Sequence, residues 1–353
     1  MRQSPRSNVC FFIWSGWIAG ALAFCVCMAL LAGRSRAERA LALLFMVAGL
    51  FAPVVAPPIP LLRALLSLYL AWSLINVIEL VRDPAPRSAS FRVLQVLVLH
   101  DLRLDGARER RRAPELRLGL LATSALAGGA ALSGLAVVTW AARFGATPLG
   151  WFLRYFVGVL VTYLAVEAVV RLLGFVYRAC GLAPPRLHDH PIASRSLAEF
   201  WGRRWNRIVG MWLRSVAFSP LLARGLPRLG IVVAFLVSAA LHFYFCWPAL
   251  GPAPALMMAS FFVVQLPFVG LERVLVLRRW PRPLQRVWTL GVLVLLSPLF
   301  VEPFLRVVEA PSCANRATAS CTSDASGSDD VLRAEATPRV CRDNSMAAEA
   351  CGG

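Results

Sequence analysis

Between Ser7 and Gly33 the chain carries no charged side chain. That run exceeds the roughly 20 apolar residues a helix needs to cross the hydrocarbon core of a bilayer. Comparable stretches follow at Leu61–Val81, Leu118–Ala142, Trp151–Val176, Leu229–Trp247, Ala253–Leu271 and Val287–Leu305. A shorter one, Ala40–Phe51, ends in a breaker series of Pro53, Pro57, Pro58 and Pro60. A cleaved signal peptide competes for the first run, but the apolar core of such a leader is about 7–15 residues. Of the 353 residues, 58% are hydrophobic and 16% charged; soluble domains average roughly 45–50% and 25%. The excess apolar surface has no aqueous home, so lipid is its solvent. The expected fold is all-α: a polytopic integral membrane protein of about eight transmembrane helices over residues 1–310. Residues 311–353 turn to Ser, Ala, Asp and Thr and read as a disordered polar tail.

Charge gives an independent check on the span count. Formal net charge is +18, and all 37 basic residues are Arg. In a soluble chain this would suggest nucleic acid, but here the arginines gather between apolar runs. The links after the first, third, fifth and seventh spans are Arg-rich, with Arg108, Arg110, Arg111 and Arg112 in the second of them. The alternate links are nearly free of Arg, with Arg143 the main exception. Eight crossings under the positive-inside rule give this alternation and put both termini on the outer side. The expected partners of the arginines are membrane lipid headgroups or the phosphates of an anionic substrate, and no nucleic acid. Phe91–His100 is apolar but too short to span, and reads as interfacial or re-entrant. Glu167 and Arg171 stand one turn apart within the fifth span, as an internal ion pair would. The nine cysteines include no C-x-x-C and too irregular a spacing for zinc. Those of the tail, Cys313 to Cys351, could form disulfides in an oxidising compartment.

Two segments carry chemistry. Ser196-Leu-Ala-Glu-Phe-Trp-Gly-Arg-Arg-Trp-Asn206 continues through Arg207, Trp212 and Arg214. Trp prefers the membrane interface and Arg offers a planar fork for phosphate oxygens, so the stretch is either an anchor belt or a binding loop. Ala234-Phe-Leu-Val-Ser-Ala-Ala-Leu-His242 places a single His in an apolar helix. At 1.5 Å per residue it lies roughly 20 Å from Arg228, at or past the middle of a core about 30 Å thick. It packs structurally against a neighbouring helix or it is functional.

Together these segments resemble the wax synthase branch of the membrane-bound O-acyltransferases. The likeness covers about Pro191 to Leu305 and includes Ser260-Phe-Phe-Val-Val-Gln, Glu272, Trp280-Pro-Arg-Pro and Phe300-Val-Glu-Pro303. It implies a catalytic pair, His242 and Asn206, with Phe200, Trp201, Trp205 and Glu272 as signature positions. It further implies acyl-CoA as co-substrate, a hydrophobic alcohol as acceptor and no metal or other cofactor. His, with an unperturbed pKa of about 6.5, would serve as base; Asn206 would orient the donor or stabilise the oxyanion. Arg203, Arg204, Arg207 and Arg214 would hold the CoA phosphates. One departure stands out: the family often has Gly before the His and an acidic residue after it, whereas this chain has Ala239, Ala240 and Phe243. Either another residue orients the imidazole, with Glu272 and Glu167 as candidates, or activity is altered.

Other classes fare worse. Only His100, His188, His190 and His242 are present, too few for a di-iron desaturase, and none has Asp four places on. His188-Asp189-His190 reads as a polar loop or a metal contact. No Ser or Cys stands in a nucleophile context such as G-x-S-x-G. A transporter, with Glu167, Arg171 and His242 lining a path, is the remaining rival. The cell membrane is the expected location in a bacterium, the endoplasmic reticulum in a eukaryote.

Overall fold

A computed structural model describes residues 5–32, 35–83, 85, 87–98, 118–145, 147–182 and 187–309. The expected disorder of the tail and its cysteines lie outside the described residues, as do His100 and the Arg108–Arg112 cluster. The described chain is helical, with no strand: α1 (Pro5–Leu31), α2 (Arg36–Gly49), α3 (Ala52–Val55), α4 (Pro60–Arg82), α5 (Ala89–Leu97), α6 (Leu118–Ala141), α7 (Pro148–Phe152), α8 (Gly158–Ala179), α9 (Leu197–Glu199), α10 (Arg207–Leu213), α11 (Ser219–Ala223), α12 (Pro227–Leu250), α13 (Pro252–Val274), α14 (Arg282–Leu296) and α15 (Pro298–Glu309). Helices α4, α7, α12, α13 and α15 begin on Pro, whose fixed φ and missing N–H suit a first helical position.

Among the described residues seven helical stretches are long and apolar enough to cross a membrane: Phe12–Leu31, Arg36–Val55, Pro60–Arg82, Leu118–Phe144, Pro148–Ala179, Pro227–Leu250 and Pro252–Val274. The second is longer than its apolar run, because Ser35 and Glu38 form a capping box that starts the helix at Arg36. The eighth expected span is not one straight helix. Helices α14 and α15 pass the same test only together and are bent by 52° at a break. The break falls at Ser297-Pro298, where proline lacks the N–H of a helical hydrogen bond and its ring crowds the preceding turn.

Packing follows residue size. Helix α6 lies along α8, and a Cβ on Gly134 would come within 2.7 Å of Val161; small residues let two backbones approach where lipid gives no hydrophobic drive. Ser124 Oγ donates to the Ala168 carbonyl across that interface at 2.7 Å. Helix α12 packs on α13 and α4. Arg63, near the start of the third span, is bound within the protein. Its guanidinium donates to the carbonyls of Ala56, Pro57 and Pro248, tying α3 and the end of α12 to α4. The short apolar segment after the third span forms α5, against α1 and α4; Arg92 donates to the Ala29 carbonyl near the end of α1, and Gln95 bonds the buried Asn76.

Candidate active site

One face of α12 carries Ile231, Ala234, Phe235, Ser238 and His242, and all five line a cavity of about 300 Å3. Their spacing of three or four residues is that of one helical stripe. From Ile231 to His242 the stripe runs about 16 Å at 1.5 Å per residue. The opposite wall comes from the loop region before α12: Trp201, Gly202, Trp205, Asn206, Val209, Leu213, Arg214 and Phe218. Two of the segments forming this wall, Phe200–Arg204 and Arg214–Phe218, are single π-helical turns. Such turns insert one extra residue and re-aim side chains, often at functional sites.

His242 Nδ1 donates to the Ser238 carbonyl at 2.8 Å. A carbonyl can only accept, so Nδ1 carries the proton and Nε2 is the nitrogen with a free lone pair. Phe262, with its ring centroid 4.1 Å from that of the imidazole, and Phe300 at 5.7 Å hold the ring from the side of α13 and α15. The helix's own carbonyl therefore orients the imidazole, in place of the acidic partner proposed from the sequence. Phe243 stacks on Trp247 instead, and neither Glu272 nor Glu167 takes the orienting role. Glu272 Oε1 accepts the Leu197 amide at 2.7 Å, which anchors the Trp-rich loop to α13. Glu167 accepts from Arg171 Nε at 3.0 Å, the expected ion pair, and also from His188 Nδ1 at 2.8 Å.

Asn206 sits in the left-handed region at φ 37, where Asn is tolerated better than most residues. Its Oδ1 caps α10 by accepting the Val209 amide at 3.3 Å, which leaves the Nδ2 protons for the cavity. Trp201 donates its indole N–H to the buried Gln265 on α13. Trp205 is sandwiched between His188, at 4.4 Å and 16°, and Phe200, at 5.6 Å and 11°.

The four arginines separate. Arg214 lines the cavity and is exposed; Arg203 is also exposed, and Arg207 half-buried. Arg204 is engaged: Nε donates to Glu199 Oε1 at 2.8 Å, and its Nη1 to the carbonyls of Asp189 and His190. Burial pushes the Glu199 carboxyl up, but the Arg195 amide and the Arg204 guanidinium outweigh it and hold it below the ordinary carboxylate range. His188 and His190 part company: the first is 5% exposed on Glu167, the second 78% exposed beside Asp189. The buried His188–Glu167 pair is the feature that sequence reasoning missed. It joins a loop to a helix, so no local pattern signals it.

The fold and the cavity define an integral, multi-pass α-helical membrane protein with a polar pair, His242 and Asn206, on the walls of an apolar chamber. Residues 184–264, which hold most of that chamber, match the Membrane bound O-acyl transferase family. The chain is 28% identical over 169 residues to the probable long-chain-alcohol O-fatty-acyltransferase 3 of Arabidopsis thaliana, covering 44% of this chain and 48% of that protein. It is 32% identical over 139 residues to probable long-chain-alcohol O-fatty-acyltransferase 7 of the same plant, covering 35% and 40%. The matched segment thus spans about half the length of these relatives, or less. Family match and relatives together support a wax synthase-like member of the membrane-bound O-acyltransferase superfamily.

Proposed function

We propose that the protein transfers a fatty acyl group from acyl-CoA to the hydroxyl of a long-chain or otherwise lipophilic alcohol, forming an ester within the membrane. The observation that carries this reading is the shared cavity: His242 and Asn206 line one apolar chamber with Arg214 on its wall. The names of the Arabidopsis relatives favour a long-chain alcohol as acceptor. The transporter reading is not favoured: Glu167 and Arg171, two of its three path residues, are bound to each other.

In the proposed reaction, His242 Nε2 takes the proton of the alcohol as its oxygen attacks the thioester carbonyl. Asn206 Nδ2 donates to the oxyanion of the tetrahedral intermediate. The intermediate collapses by breaking the C–S bond, and the proton on Nε2 passes to the departing CoA thiolate, leaving the imidazole neutral. Arg203, Arg207 and Arg214 hold the CoA phosphates, while Arg204 braces the loop through Glu199. The apolar walls of Ile231, Phe235 and Phe262 shelter the acyl chain and exclude water that would otherwise hydrolyse the thioester.

The test is ester formation by the purified protein from labelled acyl-CoA and a long-chain alcohol. Wild type is expected to make ester, and His242→Ala to fall by about 10²–10⁴-fold, the usual contribution of a general base. The ring bonds only its own helix backbone, so the variant is expected to fold normally. Undiminished transfer in folded His242→Ala overturns the mechanism, and no ester from wild type with any alcohol overturns the function.

A further inference from the structure

We infer that His188, gripped by Glu167, is a positioning residue for the turn Trp205–Asn206. This rests on the reading of Asn206 as an oxyanion donor. The imidazole of His188 is nearly closed to solvent and donates Nδ1–H to Glu167 Oε1 at 2.8 Å. The carboxylate is itself fixed by Arg171 on the same helix at 3.0 Å. The flat face of His188 lies on Trp205 with centroids 4.4 Å apart and planes within 16°. Backbone bonds on either side lock the loop to the turn: Arg207 N–H donates to the Leu187 carbonyl, and Asp189 N–H to the Arg204 carbonyl, each at 2.9 Å.

The consequence is a relay of rigid contacts from α8 to the cavity. Arg171 and Glu167 set the plane of His188, His188 sets the plane of Trp205, and Trp205 precedes Asn206 on the cavity wall. Asn206 holds a left-handed backbone at φ 37, a conformation that persists when its surroundings over-determine it. Clamping the preceding residue by a stacked and ion-paired ring supplies that determination. His188 acts through Trp205 and touches no reacting atom.

Two variants separate the ring from its grip. His188→Ala loses both, whereas His188→Phe keeps an aromatic face for Trp205 without a donor for Glu167. In the transfer assay, kcat of His188→Ala is expected to fall about 10- to 100-fold, the scale of a misplacement near 1 Å. Its KM for acyl-CoA should stay close to wild type, since the lost contact acts on the transition state. His188→Phe should recover part of the rate. In parallel, oxidative footprinting read by peptide mass spectrometry should show Trp205 reacting several-fold faster in His188→Ala than in wild type or His188→Phe. Wild-type kcat and unchanged Trp205 reactivity in His188→Ala would overturn the inference, as would a rate loss that merely tracks a fall in the folded fraction. Because footprinting needs no turnover, it decides the role of His188 even if wild type proves inactive, an outcome that would count against the proposed function alone.

Discussion

Asn206 has two oxygen- and nitrogen-based jobs that can be pulled apart. Its Oδ1 caps α10 and its Nδ2 is the proposed oxyanion donor. Asn206→Asp keeps the cap acceptor and loses the donor, so it is expected to fold with unchanged thermal stability while transfer falls by about 10²-fold or more, as removing one oxyanion donor does. Asn206→Gly keeps the left-handed backbone and loses both groups, and it too should be inactive. Wild-type rates in the Asp variant, measured with the labelled donor, would remove Asn206 from the chemistry. The stretches that hold His242 and Asn206 stand out in the chain because their composition is costly in lipid, while the pairing of the two residues rests on the family resemblance. His188 could not. Its partner Glu167 lies on another element, and a histidine beside Asp189 reads locally as a solvated turn. The same limit left the orienting group open between candidates: which oxygen faces Nδ1 depends on a rotamer, and the Ser238 carbonyl is present in any helix.

Among the elements, the spans could be read from run length, since hydrocarbon thickness sets a minimum for an unbroken helix. The break between α14 and α15 was masked, because the run is apolar on both sides of Ser297-Pro298 and no charged residue marks the place. The short wall elements around residues 197–218 were equally hidden, since their π turns leave no signature in hydropathy. Polar bonds add to the apolar packing of Leu197 and Trp201 in holding those elements. Glu272 anchors α9, and Trp201 bonds Gln265, a residue fully buried on α13. Trp201→Phe leaves the Gln265 carbonyl oxygen without its donor, at a cost of about 1–3 kcal/mol. Thermal unfolding in detergent should register that loss as a lower midpoint. An unchanged midpoint would mean that this bond does not secure the loop to α13.

On the scale of the whole molecule, the proposed transfer needs a route by which a water-soluble thioester meets an alcohol dissolved in lipid. The stripe on α12 begins near the Arg-rich segment before Pro227 and ends at His242, well inside a helix of membrane-crossing length. A donor entering at Arg214 would keep its phosphates among the arginines while its carbonyl reaches the imidazole. No pattern in the chain revealed the cavity, which arises where α12, α13 and the π-turned loop fail to meet. The account therefore stands or falls on that space being the route of transfer. The direct test is ester formation by two variants of α12: Ala234→Trp, which fills the cavity wall, and Leu236→Trp, on an exposed face two residues away. Loss of transfer in folded Ala234→Trp with activity kept in Leu236→Trp is the predicted result. Full activity in Ala234→Trp would contradict it.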